Sequence, residues 1–350
     1  MPTQDGGQQA ERALVRACTS GLDVPELQVE VLRALRRLFP VDAAFFATAD
    51  PETLLLTGAA AEEPLDRATA QFLANEFGGA DVNRFAVLAR SGAPVASLDA
   101  ATRSDRWASA RYREIMRPLG LGDELRAALL AGPDCWGYLC LHREDTERGF
   151  APAEVAVVAR LAPHIAHGLR SAVLVAGAGR HDGWDAPGVV VLTDRLDVVA
   201  VTPEAEGLMA LLPRTGRDLP LAVPAVARAL LVAERDGAAA RPPTAHIPTL
   251  AGGWLTISAS RLSGPADDPR ISVVLAPARP ADTVPLLLSA HGLTSREAEV
   301  ARLVLRGTST GGIVDALHIS RYTVQDHLKA VFDKVGVRSR GELAVRLLGR

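Results

Sequence analysis

Apolar residues recur along this chain with two periods, and the switches between them mark out its elements. Val29, Val31, Leu32, Leu35 and Leu38 fall on one stripe and predict a helix over Leu27–Leu38. Two strand-like runs follow, Asp42–Thr48 and Thr53–Thr57, with Asp50-Pro51 as the turn signal between them. Helical patterns occupy Leu65–Phe77 and Arg106–Leu119. The stretch Asp123–His142 reads as two strands joined at Gly132-Pro133-Asp134, and Phe150 to Glu154 opens a long helix reaching about Leu174. From Gly188 the pattern is strand (Val189–Leu192), turn (Asp194-Arg195), strand (Val198–Val201) and a helix with Ala205, Leu208, Leu211 and Leu212. A second helix near Val223–Ala233 and strands around Trp254–Ala259 and Ile271–Leu275 close this part.

The last sixty residues change to short amphipathic helices separated by turn chemistry. Thr294-Ser295-Arg296-Glu297 is a capping box, with the hydroxyl and the carboxylate each able to serve the other residue's amide. Its helix carries Val300, Leu303 and Val304 on one face and stops at Gly307. A second helix, Ser309–Leu317, turns Ile313, Val314 and Leu317 inward, and His318-Ile319-Ser320 makes a tight turn. Ser320 suits the N-cap of a third helix whose Val324, Leu328, Val331 and Val335 form one stripe. Tyr322, Asp326, Lys329 and Asp333 lie opposite, with Gln325 beside them. Gly336 ends that helix, Arg338 and Arg340 follow, and a fourth helix places Leu343, Ala344 and Leu347 inward.

This arrangement resembles the helix-turn-helix domain of the LuxR family of bacterial regulators. The family pattern appears as Leu293-Thr294-x-Arg296-Glu297, Gly307-x-Ser309, Ile319-Ser320, Thr323-Val324, His327 and Lys334-Val335-Gly336-Val337-x-x-Arg340. The resemblance implies a transcription regulator whose third helix enters the major groove of double-stranded DNA and offers its outward N-terminal residues to base edges. Tyr322, Gln325 and Asp326 are the candidates for bases, while Thr323, Lys329, Arg338 and Arg340 are candidates for phosphate; Ser320 and Arg321 at the helix start complete the candidate DNA-binding set. It also implies a homodimer through the last helix, around Glu342–Leu348, on a two-fold operator with half-sites about one turn apart. RNA polymerase is a further candidate partner.

Two departures from the pattern matter. Thr310-Gly311-Gly312 stands where the family has Asn-Lys-Glu, which removes a basic residue and puts two glycines into a helix at roughly 1 kcal/mol each relative to alanine. Gln325-Asp326 replaces the usual lysine; Gln can pair with adenine and Asp can accept from cytosine, but an acid facing a polyanion is costly otherwise. Both predict less non-specific binding than is usual for the family. They also motivate the competing reading, a sensor or scaffold with a degenerate helix-turn-helix acting through protein contacts.

Composition adds to this. Residues 291–350 hold ten basic and six acidic residues, a surplus of four positive charges on a chain of net charge −3, which leaves −7 for residues 1–290. Of 38 basic residues only Lys329 and Lys334 are lysines, both in the third helix. The start MPTQDGGQQAER has no basic-then-apolar pattern, no run approaches a membrane span, and three cysteines (Cys18, Cys135, Cys140) suggest no disulfide framework, so a cytoplasmic protein away from membranes is expected.

Trp136-Gly137-x-Leu139-x-Leu141, then Phe150-x-x-x-Glu154 and a helix containing Leu161-Ala162-Pro163-His164-Ile165-Ala166, is similar to the end of GAF sensory domains. The strand and helix order after Gly188 resembles a PAS domain. The fold class is therefore α/β (α+β) sensory domains followed by an all-α four-helix helix-turn-helix domain. The expected boundaries are an N-terminal tail (1–23), a GAF-like domain (24–176), a linker (177–187), a PAS-like domain (188–277), a linker (278–290) and the DNA-binding domain (291–350). A small-molecule ligand or a partner at the GAF-like or PAS-like domain is expected to modulate activity, and the side chains of Arg106-Trp107 and Arg111–Leu125 are able to line a ligand pocket or simply to pack.

No catalytic constellation is present: GxxxxGK[ST], GxSxG and HExxH are all missing, so no enzyme and no cofactor are expected. Neither is a metal. Cys135 and Cys140, five residues apart, fall on opposite faces of a regular strand, and His164 and His167 lack a third ligand on their helix.

Overall fold

The computed structural model describes residues 4–146, 149–178, 186–213, 219–237, 241–264 and 269–348. The chain divides into two compact units, Met1–Pro277 and Ala278–Arg350.

The first unit contains two five-stranded antiparallel sheets with the same strand order. One is β2-β1-β5-β4-β3, built from β1 (Ala43–Ala49), β2 (Leu56–Ala61), β3 (Val95–Ser97), β4 (Leu121–Ala131) and β5 (Asp134–Glu144). The other is β7-β6-β10-β9-β8, from β6 (Gly188–Thr193), β7 (Val198–Val201), β8 (Thr244–Pro248), β9 (Trp254–Leu262) and β10 (Arg270–Pro277).

The first sheet is covered on both faces. On one, α6 (Pro152–Gly177) packs against β4 and β5, backed by α1 (Gln4–Thr19) and α2 (Val24–Leu38). Gly137 permits this approach, because a Cβ there would sit 2.4 Å from the Ala47 carbonyl oxygen and 2.7 Å from a Leu169 methyl. On the other face, Leu73 of α3 (Thr69–Gly78) and Phe85 and Leu88 of α4 (Phe85–Arg90) meet Ala47, Ala128, Tyr138 and Cys140. A short α5 (Leu98–Thr102) follows β3. In the second sheet, alternate residues (Val190, Leu192, Ile257, Ala259, Ile271, Val273, Leu275) pack on α7 (Pro203–Ala210) and α8 (Ala222–Arg235).

The two sheets share contacts within this unit. Buried Asp50 accepts from the amide and Nδ1 of His246 at 2.8 and 2.9 Å, and Arg235 donates to the Gly78 carbonyl at 2.9 Å. Leu221 and Ala225 join the apolar cluster of the first sheet, while Leu55 joins that of the second.

Several expectations need correction. The expected tail 1–23 holds helix α1, because Ala10, Leu14 and Cys18 recur every fourth residue and bury, and Glu11 pairs with Arg160 at 2.6 Å. The expected helix Arg106–Leu119 is broken into 3-10 turns at Arg106–Ala108 and Arg117–Leu119 around a π-helical turn, Tyr112–Met116. Pro118 lacks an amide to donate, and Gly120 takes φ 75°. Strand β8, absent from the sequence reading, is a sheet edge, where its flanking prolines cost no ladder bond. Of the expected linker 177–187, residues 179–185 lie outside the described residues.

The second unit has one helix more than expected. Pro280–Ala290, read as connector, is α9, and its Val284 and Leu288 enter the same core as Val300, Ile313, Val324, Leu328, Val331, Val335, Leu343 and Leu347. Pro280 at the first helical position needs no amide partner, so a stretch that looks Pro-rich still opens a helix. The other four helices are α10 (Ser295–Leu305), α11 (Thr310–Leu317), α12 (Arg321–Val335) and α13 (Arg340–Leu348).

Candidate nucleic-acid interface and ligand cavity

Three caps set the helix-turn-helix. Thr294 and Glu297 form the capping box of α10. Ser309 caps α11 through the Gly312 amide at 3.1 Å, and Ser320 caps α12 through the Thr323 amide at 3.0 Å. The tight turn between α11 and α12 is made by His318 in the left-handed region (φ 52°), which gives α11 its C-terminal stop.

With Val324, Leu328, Val331 and Val335 in the core, helical periodicity turns the opposite face of α12 to solvent. Tyr322 is 77% exposed, and Arg321, Gln325, Asp326 and Lys329 are exposed with it. These five make one continuous outward face. Ser320 and Thr323 lie at its edge with hydroxyls 2.8 Å apart, both already engaged in the cap.

The two arginines after α12 differ. The side chain of Arg338 is exposed, and its amide donates to Glu342 at 2.8 Å. Arg340 turns inward: its guanidinium donates to the Thr308 carbonyl at 2.8 Å and to Thr310 Oγ1 at 2.9 Å, tying the start of α13 to the turn before α11. Lys334, which shares its residue type with Lys329 alone, likewise pairs with Glu297 at 2.6 Å. Burial disfavours the charged form of Glu297, but the bonds from Lys334 and the Thr294 amide outweigh it and hold its carboxyl below its ordinary value. Arg296 donates to the carbonyl of Leu317 at 2.7 Å, satisfying the end of α11. Arg296, Glu297, Lys334 and Arg340 therefore hold helices together.

The first unit contains a cavity between its sheet and α3–α4, with about 440 Å³ of empty space, open solvent at its mouth included. Phe45, Leu56, Leu65, Phe72, Leu73, Phe85 and Leu221 supply an apolar wall, and Glu76, Arg126, Cys140 and His142 the polar one. Of the stretch Arg111–Leu125, no residue lines it directly. Arg111 and Glu124 stand behind the wall, with Arg111 Nε donating to Glu124 at 2.8 Å.

Arg126 donates to Glu124 at 2.9 Å and to Glu76 at 2.7 Å, with its guanidinium 4.3 Å from the Phe85 ring centre. Burial opposes ionisation of Glu124, yet Arg111 and Arg126 keep it well below the usual carboxylate range. Burial lowers the His142 pKa to about 4, so its imidazole is neutral near pH 7.

Cys135 and Cys140 lie on the same face of β5, against expectation. The pairing Leu129↔Gly137 and Leu130↔Cys135 leaves Trp136 as an extra residue, and this bulge restores Cys135 to the side of Cys140. His167 meets Arg170 at 2.8 Å on an exposed helix face. No helix among the described residues is long and apolar enough to cross a membrane.

Residues 291–347 match the family model described as bacterial regulatory proteins, luxR family, and residues 23–169 match the GAF domain model. The spore germination protein GerE of Bacillus subtilis (strain 168) is 39% identical over 56 residues, which span 16% of this chain and 76% of GerE. Among solved structures, the VqsR LBD domain from Pseudomonas aeruginosa aligns at 17% identity and TM-score 0.33, over 47% of this chain and 95% of that one. The E. coli DhaR(N)–DhaL complex aligns at 11% identity and TM-score 0.26, over 79% of this chain and 92% of that one. With the family model and GerE both matching the helix-turn-helix end, the chain belongs to the LuxR family of bacterial regulatory proteins, with a GAF domain ahead of its DNA-binding domain.

Proposed function

We propose that this regulator binds a specific two-fold DNA sequence through the outward face of α12 and that a small molecule in the GAF cavity modulates the binding. The observation that carries the reading is that face: Arg321, Tyr322, Gln325, Asp326 and Lys329 are all exposed while their helix is anchored by four core valines and leucines. Tyr322, Gln325 and Asp326 are assigned to base edges, each good bidentate contact discriminating by about 1–3 kcal/mol. Arg321, Lys329 and Arg338 are assigned to phosphates. Thr323 and Ser320 reach the backbone only as far as their mutual bond allows, and Arg340 acts by holding α13.

Dimerisation is assigned to α13, where Val345 is 59% exposed beside Arg346. The second sheet is assigned a PAS-like role, supported by a strand order that repeats that of the GAF sheet. Because Leu221 at the start of α8 closes the GAF cavity, a ligand there bears on both sheets. It shifts the DNA-binding equilibrium only to the extent that it prefers one arrangement of the protein. RNA polymerase, as a contact made once the protein is on DNA, and residence in the cytoplasm belong to this reading.

The test is retention of fragmented genomic DNA by the purified full chain, sequenced and repeated across a salt series with wild type and Lys329→Ala. Enrichment of one two-fold motif, with log affinity falling linearly with log salt, supports the reading. Retention without a shared motif, or identical retention by the variant, overturns the placement of α12. Failure to retain DNA at any salt, with and without candidate ligands, favours the scaffold alternative, for which Gly311, Gly312 and Asp326 are the motive.

A further inference from the structure

Local alternation at Glu124-x-Arg126 and Cys140-x-His142 puts these four polar side chains on one face of the β4–β5 hairpin, where Arg126, Cys140 and His142 line the cavity and Glu124 stands just behind them. Glu124 pairs across the strands with His142, and Arg126 with Cys140. Arg126 is well satisfied by Glu124 and Glu76. His142 is not: it is 1% exposed, and neither ring nitrogen has a hydrogen-bond partner. A buried polar group left without a partner is costly unless something engages it.

Glu124 Oε1 lies 3.7 Å from His142 Nε2, and the Cys140 Sγ lies 2.8 Å from that same oxygen. One donor atom from each of Glu124, Cys140 and His142 falls within 4.8 Å of the others, and all three residues are at most 2% exposed. We propose that Glu124, Cys140 and His142 form a binding site for a divalent transition-metal ion, with a further coordination position facing the cavity.

Several features favour an ion here over a plain polar network. Sulfur, imidazole and one carboxylate oxygen are the mixed donor set that suits zinc, iron(II) or cobalt(II), whereas magnesium and calcium take oxygen. Ligands about 2.0–2.3 Å from a tetrahedral ion lie roughly 3.3–3.8 Å apart, so the present spacing closes with small side-chain shifts. The Phe72 ring meets His142 edge-on at 6.1 Å and limits where the imidazole can turn.

Charge balance agrees. The carboxylates of Glu76, Asp81 and Glu124 face the guanidiniums of Arg111 and Arg126, one negative charge in excess. A dication that displaces the thiol proton of Cys140 adds one net positive charge and brings the cluster to neutrality. In that step the S–H bond breaks, a metal–sulfur bond forms, and one proton passes to solvent. Glu124 Oε1 keeps its bond from Arg126 and exchanges the thiol's for the ion.

Ligand spacing close along the chain does not reveal this set, whose members come from two strands. The signal was in the alternation: Glu124-x-Arg126 and Cys140-x-His142 put polar groups on one face of two strands joined by a tight turn.

The test uses the full chain, stripped by chelator, dialysed and titrated with cobalt(II), then zinc. One cobalt per chain is expected, with a sulfur-to-cobalt charge-transfer band, about one proton released per ion, and displacement by zinc. Cys140→Ser, with folding checked by circular dichroism, should lose the band, and His142→Gln should weaken affinity tenfold or more. Cys135→Ser and the pair His164→Ala with His167→Ala should bind as wild type. X-ray absorption of the zinc-loaded wild type reads the donors with no variant, and one sulfur among nitrogen and oxygen is expected. Substoichiometric uptake, a band that survives in Cys140→Ser, loss only in the His164/His167 variant, or an all-oxygen shell would each overturn the site. Metal uptake is read apart from DNA retention, so failure of one leaves the other standing.

Discussion

At the scale of single residues, the family signature divides into groups that hold the fold and groups left free to meet a ligand. Arg296, Glu297, Lys334 and Arg340 each bond to another part of the helical unit. Lys329 and Arg338 keep exposed side chains. Sequence spacing assigns a face to each residue but not a partner, so spacing alone groups Arg340 with the phosphate contacts while the structure gives it the Thr308 carbonyl and Thr310. The distinction has measurable consequences. Lys329→Ala should leave stability within about 0.5 kcal/mol of wild type, weaken DNA binding roughly tenfold and lower the salt slope by about one. Arg340→Ala should instead cost about 1–3 kcal/mol of stability, since it leaves the Thr308 carbonyl without this donor, while changing the salt slope little. Denaturant titration beside DNA titration separates the two; an unchanged stability in Arg340→Ala would return that residue to the phosphate set. The Cys135–Cys140 pair shows the same limit of spacing, because only the register around Trp136 reveals the bulge that changes its parity.

At the scale of elements, what was legible had local chemistry to announce it. The capping box at Thr294, the valine–leucine stripe of α12 and the left-handed stop at Gly336 all follow from neighbours a few residues apart. Helix α1, helix α9 and strand β8 did not announce themselves, because a glycine-rich start or flanking prolines hid elements that tertiary burial supports. Gly311 sits exposed in the first turn of α11, where an added Cβ meets only Ser309 Oγ at 3.9 Å. Gly311→Lys should therefore be tolerated, gain up to about 0.5–1 kcal/mol of helix stability, and steepen the salt dependence of DNA binding by about one contact. An unchanged slope would mean that α11 does not approach the phosphates. Glu297 supplies a pH dependence. Its carboxyl is held below its ordinary value of 4.5, so its stabilising contribution is complete above that value and is lost as pH falls through the lower folded value. Lys334 is about one-third exposed and solvent screens the pair, so Glu297→Gln should cost only about 1 kcal/mol at pH 7. Followed through the amide signals of α10 in denaturant, the gap between the two proteins should close below about pH 4.5; a gap that persists into acid would assign the loss to packing.

At the scale of the whole molecule, the two sheets of the first unit are joined by more than chain connectivity. Asp50 sits at 1% exposure, with one carboxylate oxygen accepting from the Glu52 amide in its own turn and the other from the His246 amide and ring on β8. No sequence pattern pointed to this, since the partners are 196 residues apart and Asp50-Pro51 reads as an ordinary turn. Asp50→Asn is the discriminating change. The amide side chain retains an oxygen for the turn but presents an NH₂ donor to the His246 amide, itself a donor, so the turn survives while the backbone bond of the bridge fails. A buried donor left without an acceptor costs about 1–3 kcal/mol, more where a charge-assisted bond is lost. Hydrogen exchange should show faster exchange at His246 and along β8, with α2 and the β4–β5 hairpin retaining wild-type protection. Because Leu221 belongs to the second sheet's side of the chain and closes the cavity of the first, weakening the bridge should also raise the access of small apolar molecules to that cavity. If β8 keeps its protection in Asp50→Asn, the apolar contacts of Leu55 and Ala225 suffice to couple the sheets. If protection falls uniformly across both sheets, they unfold as one cooperative body and the bridge contributes to global stability alone.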